Sequence, residues 1–185
     1  MPTTVGNEAN TVQSWRKPSV KGLGLIVNAT QATVESDGYG KDYDEKAPTR
    51  ITTTSSSSEK LEVNENIRAS GRYGAVQAEK TAQYTINADV YAVYAKDNNG
   101  LGGTVAVWAS GTSKVVINGG DFRQVDVPAD DPVCDLIYAD TNATIEINGG
   151  SFYQYDPSNH TLGAGEVVIG EGHTVETVGD WYIVK

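Results

Sequence analysis

Val115-Val116-Ile117-Asn118-Gly119-Gly120-Asp121-Phe122 recurs thirty residues later as Ile145-Glu146-Ile147-Asn148-Gly149-Gly150-Ser151-Phe152. The offset holds upstream, where Val107-Trp108-Ala109 matches Ile137-Tyr138-Ala139. An earlier copy, 31 residues before, carries Val76-Gln77-Ala78 and then Tyr84, Ile86-Asn87 and Tyr91. In each copy the alanine stands eight residues before the isoleucine of the Ile-Asn pair: Ala78 to Ile86, Ala109 to Ile117, Ala139 to Ile147. A constant period of this length marks stacked units, each too small to bury its apolar face alone.

Alternation within a copy assigns the faces, because successive side chains of a strand point to opposite sides. Tyr84, Val115 and Ile145 share one face with Ile86, Ile117 and Ile147, and the opposite face takes Thr85, Val116 and Glu146. The expectation is an all-β fold, a short right-handed parallel β-helix of about three rungs. The isoleucines form an inward ladder, Asn87, Asn118 and Asn148 an amide ladder at a corner, and Tyr91, Phe122 and Phe152 an aromatic ladder. The Gly-Gly pairs serve the corner, where a positive φ or a close backbone approach is needed. Gln77, Trp108 and Tyr138 fall at equivalent outward positions, about 4.8 Å apart from rung to rung.

Composition agrees. The chain has 185 residues with 21 Val, 10 Ile and 18 Thr against 6 Leu. Branching at Cβ restricts a side chain in a helix but packs well on a pleated surface. No segment carries a clear helical stripe, and 59–69 comes nearest. The C-terminus alternates through Thr174-Val175-Glu176-Thr177-Val178, turns at Gly179-Asp180 and returns as Trp181-Tyr182-Ile183-Val184. This is a capping hairpin expected to cover the edge of the last rung.

The first seventy residues read differently. Leu23 to Val27 and Ala32-Thr33-Val34 are strand candidates, 35–50 is polar and charged, and Thr52 to Ser58 is an unbroken run of hydroxyl residues. Such a run buries little apolar surface and suits an exposed extended arm. Two regions are therefore expected: 1–70, an N-terminal anchoring and oligomerisation arm, and 71–185, a β-helical head.

The units Ile117-Asn118-Gly119-Gly120-Asp121-Phe122 and Ile147-Asn148-Gly149-Gly150-Ser151-Phe152, with Asp156-Pro157-Ser158 and the closing Gly179-Asp180-Trp181-Tyr182-Ile183-Val184, resemble short β-helical modules. Those modules occur in structural proteins of tailed phages, including head and tail fibres, and in surface proteins of gut bacteria. The resemblance covers roughly residues 74–185 and departs at His173, where the modules usually place an aromatic or apolar residue. It implies a virion structural protein, a head fibre or capsid-decorating fibre. Residues 1–70 would contact capsid or other virion proteins, and the small number of rungs suggests a homotrimer. The alternatives are a carbohydrate- or receptor-binding module on a bacterial surface and, further off, a polysaccharide lyase or hydrolase.

Charge and motifs narrow the rest. The net charge is -10, and all of it arises in 97–185, which hold 13 acidic and 3 basic side chains. A nucleic-acid partner needs a basic footprint and is not expected. No apolar run approaches the roughly 20 residues of a membrane span. Met1-Pro2-Thr3-Thr4 lacks the pattern of a secretory signal, so a complete chain of this kind is expected inside a cell, or in a virion released by lysis. The lone Cys134 is expected to be a buried, inert thiol. Asp126, Asp130, Asp131 and Asp135 cluster in one loop without an EF-hand spacing and read as solvated rather than as a metal site. The pair Asp121 and Asp126 could be imagined as glycosidase carboxylates, but no Arg/Lys constellation accompanies them. His160 and His173 stand near no nucleophile motif, and Gly163-Ala164-Gly165 reads as a turn. No catalytic residue, cofactor or metal is expected. The outward Gln77, Trp108 and Tyr138 are the candidates for a sugar or subunit contact.

Overall fold

A computed structural model describes residues 60–64, 66–69, 74–94, 105–125, 127 and 135–185, together with short backbone strands in the first 53 residues. The described strands are β1 (Thr3–Val5), β2 (Val12–Ser14), β3 (Ile26–Val27), β4 (Ala32–Ser36), β5 (Thr49–Thr53), β6 (Lys60–Val63), β7 (Ile67–Ala69), β8 (Gly74–Ala78), β9 (Gln83–Ile86) and β10 (Val90–Val93). There follow β11 (Val105–Ala109), β12 (Lys114–Ile117), β13 (Asp121–Val125), β14 (Ile137–Ala139), β15 (Thr144–Ile147), β16 (Gly150–Tyr153), β17 (Glu166–Ile169), β18 (Val175–Val178) and β19 (Trp181–Val184). The only helical turn among the described residues is a 3-10 turn at Pro157–Asn159, so the fold is all-β with mostly parallel sheets.

From β6 to β16 successive strands pass in strict rotation through three sheets. The first sheet stacks β8, β11 and β14, the second β6, β9, β12, β15 and β17, and the third β7, β10, β13 and β16. All these pairings are parallel, and the register is the one the repeat predicts, with Val107 opposite Val76 and Ile137, and Ile117 opposite Ile86 and Ile147. In-register stacking follows from the repeat: equivalent residues lie side by side, so one inward column of β-branched side chains fills the space between sheets.

That column is buried from Val63 through Ile86 and Ile117 to Ile147, and Tyr84, Val115 and Ile145 form a second one beside it. Removing such a side chain from water contributes about 1.5–3 kcal/mol each. The rings of Phe122 and Phe152 stack at 4.8 Å, 12° from parallel, fully buried. Each Ala at the end of the first-sheet strand is matched four residues on by another small buried residue, Ala82, Ser113 or Ala143. Ser113 Oγ donates to the Ala78 carbonyl at 3.0 Å, which satisfies its buried hydroxyl.

The aromatic ladder needs one correction. Phe122 stands opposite Val90, and Tyr91 opposite Arg123. The first copy turns the corner through Asn87-Ala88-Asp89, one residue shorter than Asn118-Gly119-Gly120-Asp121. With a side-chain period of two, a single missing residue sends Tyr91 to the outer face and puts Val90 in the core. The Gly-Gly corner itself is as expected: Gly120 and Gly150 have φ of +109° and +121°.

The amide ladder is present and longer than the repeat indicated. Asn118 Nδ2 donates to Asn87 Oδ1 at 3.0 Å, Asn148 Nδ2 to Asn118 Oδ1 at 3.4 Å, and Asn87 Nδ2 to Asn64 Oδ1 at 2.7 Å. Gly170 ends it, because a Cβ there would sit 1.8 Å from Asn148 Oδ1. Asn64 was hidden because it lies in 59–69, the segment nearest to a helical pattern. That segment instead forms β6 and β7, which extend the second and third sheets.

The sheets run across residue 70. β5 pairs in parallel with β8, placing Thr52 opposite Gln77, and β3 pairs antiparallel with β6. Of the strand candidates in the first region, Ile26-Val27 lies in β3 and Ala32 to Val34 in β4, whereas Thr54 to Ser58 lie outside the described residues. The C-terminal end carries added strands. β17 adds to the second sheet, while β19 pairs antiparallel with both β16 and β18. The hairpin turns on Gly179, with φ of +60°, the first central position of a type II′ turn. Over the edge of β14, Gly165 N–H donates to the Ala139 carbonyl at 3.0 Å. Gly163-Ala164-Gly165 is thus a turn as read, and a lid on that edge as well.

Candidate functional site

Three surfaces and one buried pair carry the polar and aromatic chemistry of the molecule. The first surface is the outer side of the first sheet, where Trp108 stands opposite both Gln77 and Tyr138. The rings of Trp108 and Tyr138 stack face to face, 3.9 Å apart and 11° from parallel. Gln77 departs from the expectation of an outward position: it is only 1 % exposed, and every residue of β8 is buried. Both sides of this strand are covered, so the exposed part of the ladder reduces to Trp108 and Tyr138. Their facing ring surfaces are spent on each other, one face of each ring.

The second is the acidic stretch of the sequence, of which Asp126, Asp130, Asp131 and Cys134 lie outside the described residues, and with Asp126 half of the imagined carboxylate pair. Asp135 is described, and Thr161 Oγ1 donates to its Oδ2 at 3.4 Å. Among the described residues no three His, Cys, Asp or Glu side chains converge as a metal site, and no helix is long and apolar enough to cross a membrane.

The third surface was not singled out by the repeat, because the slip at Tyr91 creates it. On the outer side of the third sheet, Tyr91 faces Arg123, and the guanidinium carbon lies 4.3 Å from the ring centroid. Arg123 and Tyr153 follow the paired Phe122 and Phe152, and Tyr153 stands opposite Trp181. The last two rings meet edge to face at 5.2 Å and 63°. Carboxylates tether the phenols: Tyr91 donates to Asp89 Oδ2 at 3.2 Å and Tyr153 to Asp180 Oδ2 at 3.4 Å. Asp89 Oδ1 also accepts from the Asp121 N–H at 2.9 Å. Burial and the Asp89 carboxylate push the Tyr91 hydroxyl above its ordinary range, against the pull of the Arg123 charge.

The last pair joins the buried Tyr155 to the half-buried His160. Tyr155 Oη and His160 Nδ1 are 2.8 Å apart, and His160 Nε2 is buried with no hydrogen-bond partner. Burial, with the Asp135 and Asp156 carboxylates, pushes the Tyr155 hydroxyl up, so it remains a donor. Burial lowers the His160 pKa, opposed by Asp135 and by a backbone hydrogen bond with Leu162. The unfolded chain therefore binds a proton near pH 6.5 that the folded chain still refuses. Stability on this account is full above about pH 6.5 and falls as the pH drops toward the lowered folded value. Urea unfolding at pH 7.5 and 5.5 is expected to show a lower midpoint at the acid pH, with that difference reduced in His160→Gln. His173, where the resemblance departs, is half-buried in the turn before β18. Its N–H donates to the Gly170 carbonyl at 3.1 Å, and its Nδ1 is buried without a partner.

Comparison with protein families, with curated proteins and with solved structures finds no match for this chain.

Proposed function

We propose that this chain is a non-enzymatic structural protein of a tailed-phage virion, a head fibre or capsid-decorating fibre. On this reading the stacked repeats are a right-handed parallel β-helix of about three rungs that projects from the particle. Residues 1–70 anchor it to capsid or other virion proteins, and the assembly is a homotrimer.

The observation that carries the reading is the difference between the two ends of the stack. At the C-terminal end the second sheet ends on β17 and the third on the antiparallel β18–β19 hairpin, while the 163–165 turn crosses the edge of the first. The hairpin and the turn end the parallel stacking there, as suits a solvent-facing tip. At the other end the first and second sheets continue into β5 and β3, inside the region read as the anchor. Charge is distributed in the same sense, since the whole net charge of -10 falls in 97–185. A strongly negative projecting surface discourages non-specific association.

Immunogold electron microscopy tests the location. Antibody against 140–185 is expected to decorate the outside of virions, whereas label on bacterial envelopes alone would support the surface-protein alternative. Light scattering tests the assembly: a mass near three times 19.7 kDa is expected, and a monomer at high concentration would refute the trimer.

A further inference from the structure

We infer that the row Tyr91, Arg123, Tyr153 and Trp181 on the outer side of the third sheet is a glycan-binding strip, and that it takes a sugar carrying one isolated carboxylate in an otherwise neutral oligosaccharide. The inference rests on this surface alone and holds or fails independently of which particle carries the protein.

Geometry makes the row continuous. Tyr91 pairs with Arg123, Tyr153 with Trp181, and Trp181 with Val178, so the positions line up across five neighbouring strands. At a strand spacing of about 4.8 Å the distance from Tyr91 to Trp181 is roughly 14 Å, the scale of a few sugar units. All four side chains are partly exposed, and Val178, at the end of the row, is 51 % exposed.

The chemistry selects the ligand. Tyr153 and Trp181 meet edge to face and both are partly exposed, so the ring that presents its edge spends neither face on its partner. An open aromatic face suits the C–H side of a sugar ring. In the Trp108–Tyr138 stack each ring spends one face on the other. Arg123 supplies the second determinant. Its guanidinium is held over the Tyr91 ring, yet its Nε is buried without a hydrogen-bond partner. A guanidinium carries five donors in a fork matched to a carboxylate, and a buried donor left unmade is costly. The carboxylates along the row are already engaged: Asp89 accepts from Tyr91 and from the Asp121 N–H, and Asp180 accepts from Tyr153. They tether the rings. An incoming carboxylate pairs with the guanidinium of the partly exposed Arg123, and sugar hydroxyls can donate to the remaining lone pairs of Asp89, Asp121 and Asp180.

Charge sets the upper limit on the ligand. One cation, within a half-chain of 13 acidic and 3 basic side chains, matches a single negative charge. It repels a densely charged polymer, so neither nucleic acid nor a sulfated polysaccharide fits.

Isothermal titration calorimetry of the full chain tests this with four probes: sialyllactose, a hyaluronan disaccharide, the neutral chitotetraose and a heparin tetrasaccharide. Saturable binding of sialyllactose or the hyaluronan disaccharide is expected, with both controls much weaker. Arg123→Gln and Trp181→Ala are each expected to weaken it at least about tenfold, as anchors of a small interface do, and Trp108→Ala to leave it unchanged. If circular dichroism shows that Trp181→Ala is unfolded, Trp181→Phe replaces it, with a smaller loss expected. The inference is overturned if neither acidic probe binds, if heparin or chitotetraose binds as tightly, or if Arg123→Gln binds like the unaltered chain.

Discussion

Phe122→Ala is expected to cost about 3–5 kcal/mol of folding stability, the range for truncating a buried aromatic ring. Phe122 is fully buried and stacks on Phe152, so alanine removes the dispersion contacts of one ring and strips a face from the next. The stack has few rungs into which neighbours can relax. Against a typical total of about 5–15 kcal/mol such a loss approaches unfolding at room temperature. Urea denaturation checks it, with Val116→Ala on the outer side of β12 as the control, expected to lose less than about 1 kcal/mol. A loss of similar size in both variants would show that the ring column is not the core of the stack. The double variant Phe122→Ala/Phe152→Ala is expected to cost less than the sum of its parts, because the two rings share one contact surface.

Gly120→Ala is the second large effect, and Gly119→Ala is its control one residue away. Gly120 has φ of +109°, and a Cβ on it would lie 2.2 Å from the Ala88 carbonyl oxygen of the preceding rung. Backbone strain of this kind costs about 1–3 kcal/mol by itself. The clash with a fixed carbonyl adds to it, since that oxygen belongs to the corner beneath and cannot swing away. A Cβ on Gly119 would meet nothing within 4 Å, and its φ is not positive. Alanine there is expected to shift stability by no more than about 0.5 kcal/mol. Thermal melts of the two variants should therefore separate widely, and coinciding melts would refute the assigned corner.

Most of the stack was legible in the repeat. The spacing of Ala78, Ala109 and Ala139 before Ile86, Ile117 and Ile147 predicted the parallel register to the residue, because side-by-side copies are the only arrangement that brings identical apolar faces together. The Asn and Gly-Gly corners followed for the same reason. The errors came where a copy is degenerate. Tyr91 was matched to Phe122 by distance from the isoleucine, but the Ala88 corner lacks one residue, and alternation turns that difference into a change of face. β6 and β7 were obscured because 59–69 carries only Val63-Asn64 of the motif.

The candidate site was legible only in part, because binding surfaces lie on the outer faces, which the repeat leaves free to vary. Trp108 and Tyr138 were recognisable as equivalent positions, but not the ring stacking that closes their faces or the covering that buries Gln77. The row from Tyr91 to Trp181 joins four residues with no common spacing, since it crosses from parallel strands onto the antiparallel β19.

By itself the sequence determined the strand vocabulary, the thirty-residue period, the inward columns and the position of the corners, because these depend on local steric preference and on a hydrophobic pattern repeated along the chain. Tertiary structure alone decided which outer side chains become neighbours and which ring faces stay open. It also decided that Arg123 lies over Tyr91 with its donor fork incomplete. Such contacts depend on the register between strands far apart in the chain, and one residue more or less at a corner reverses them.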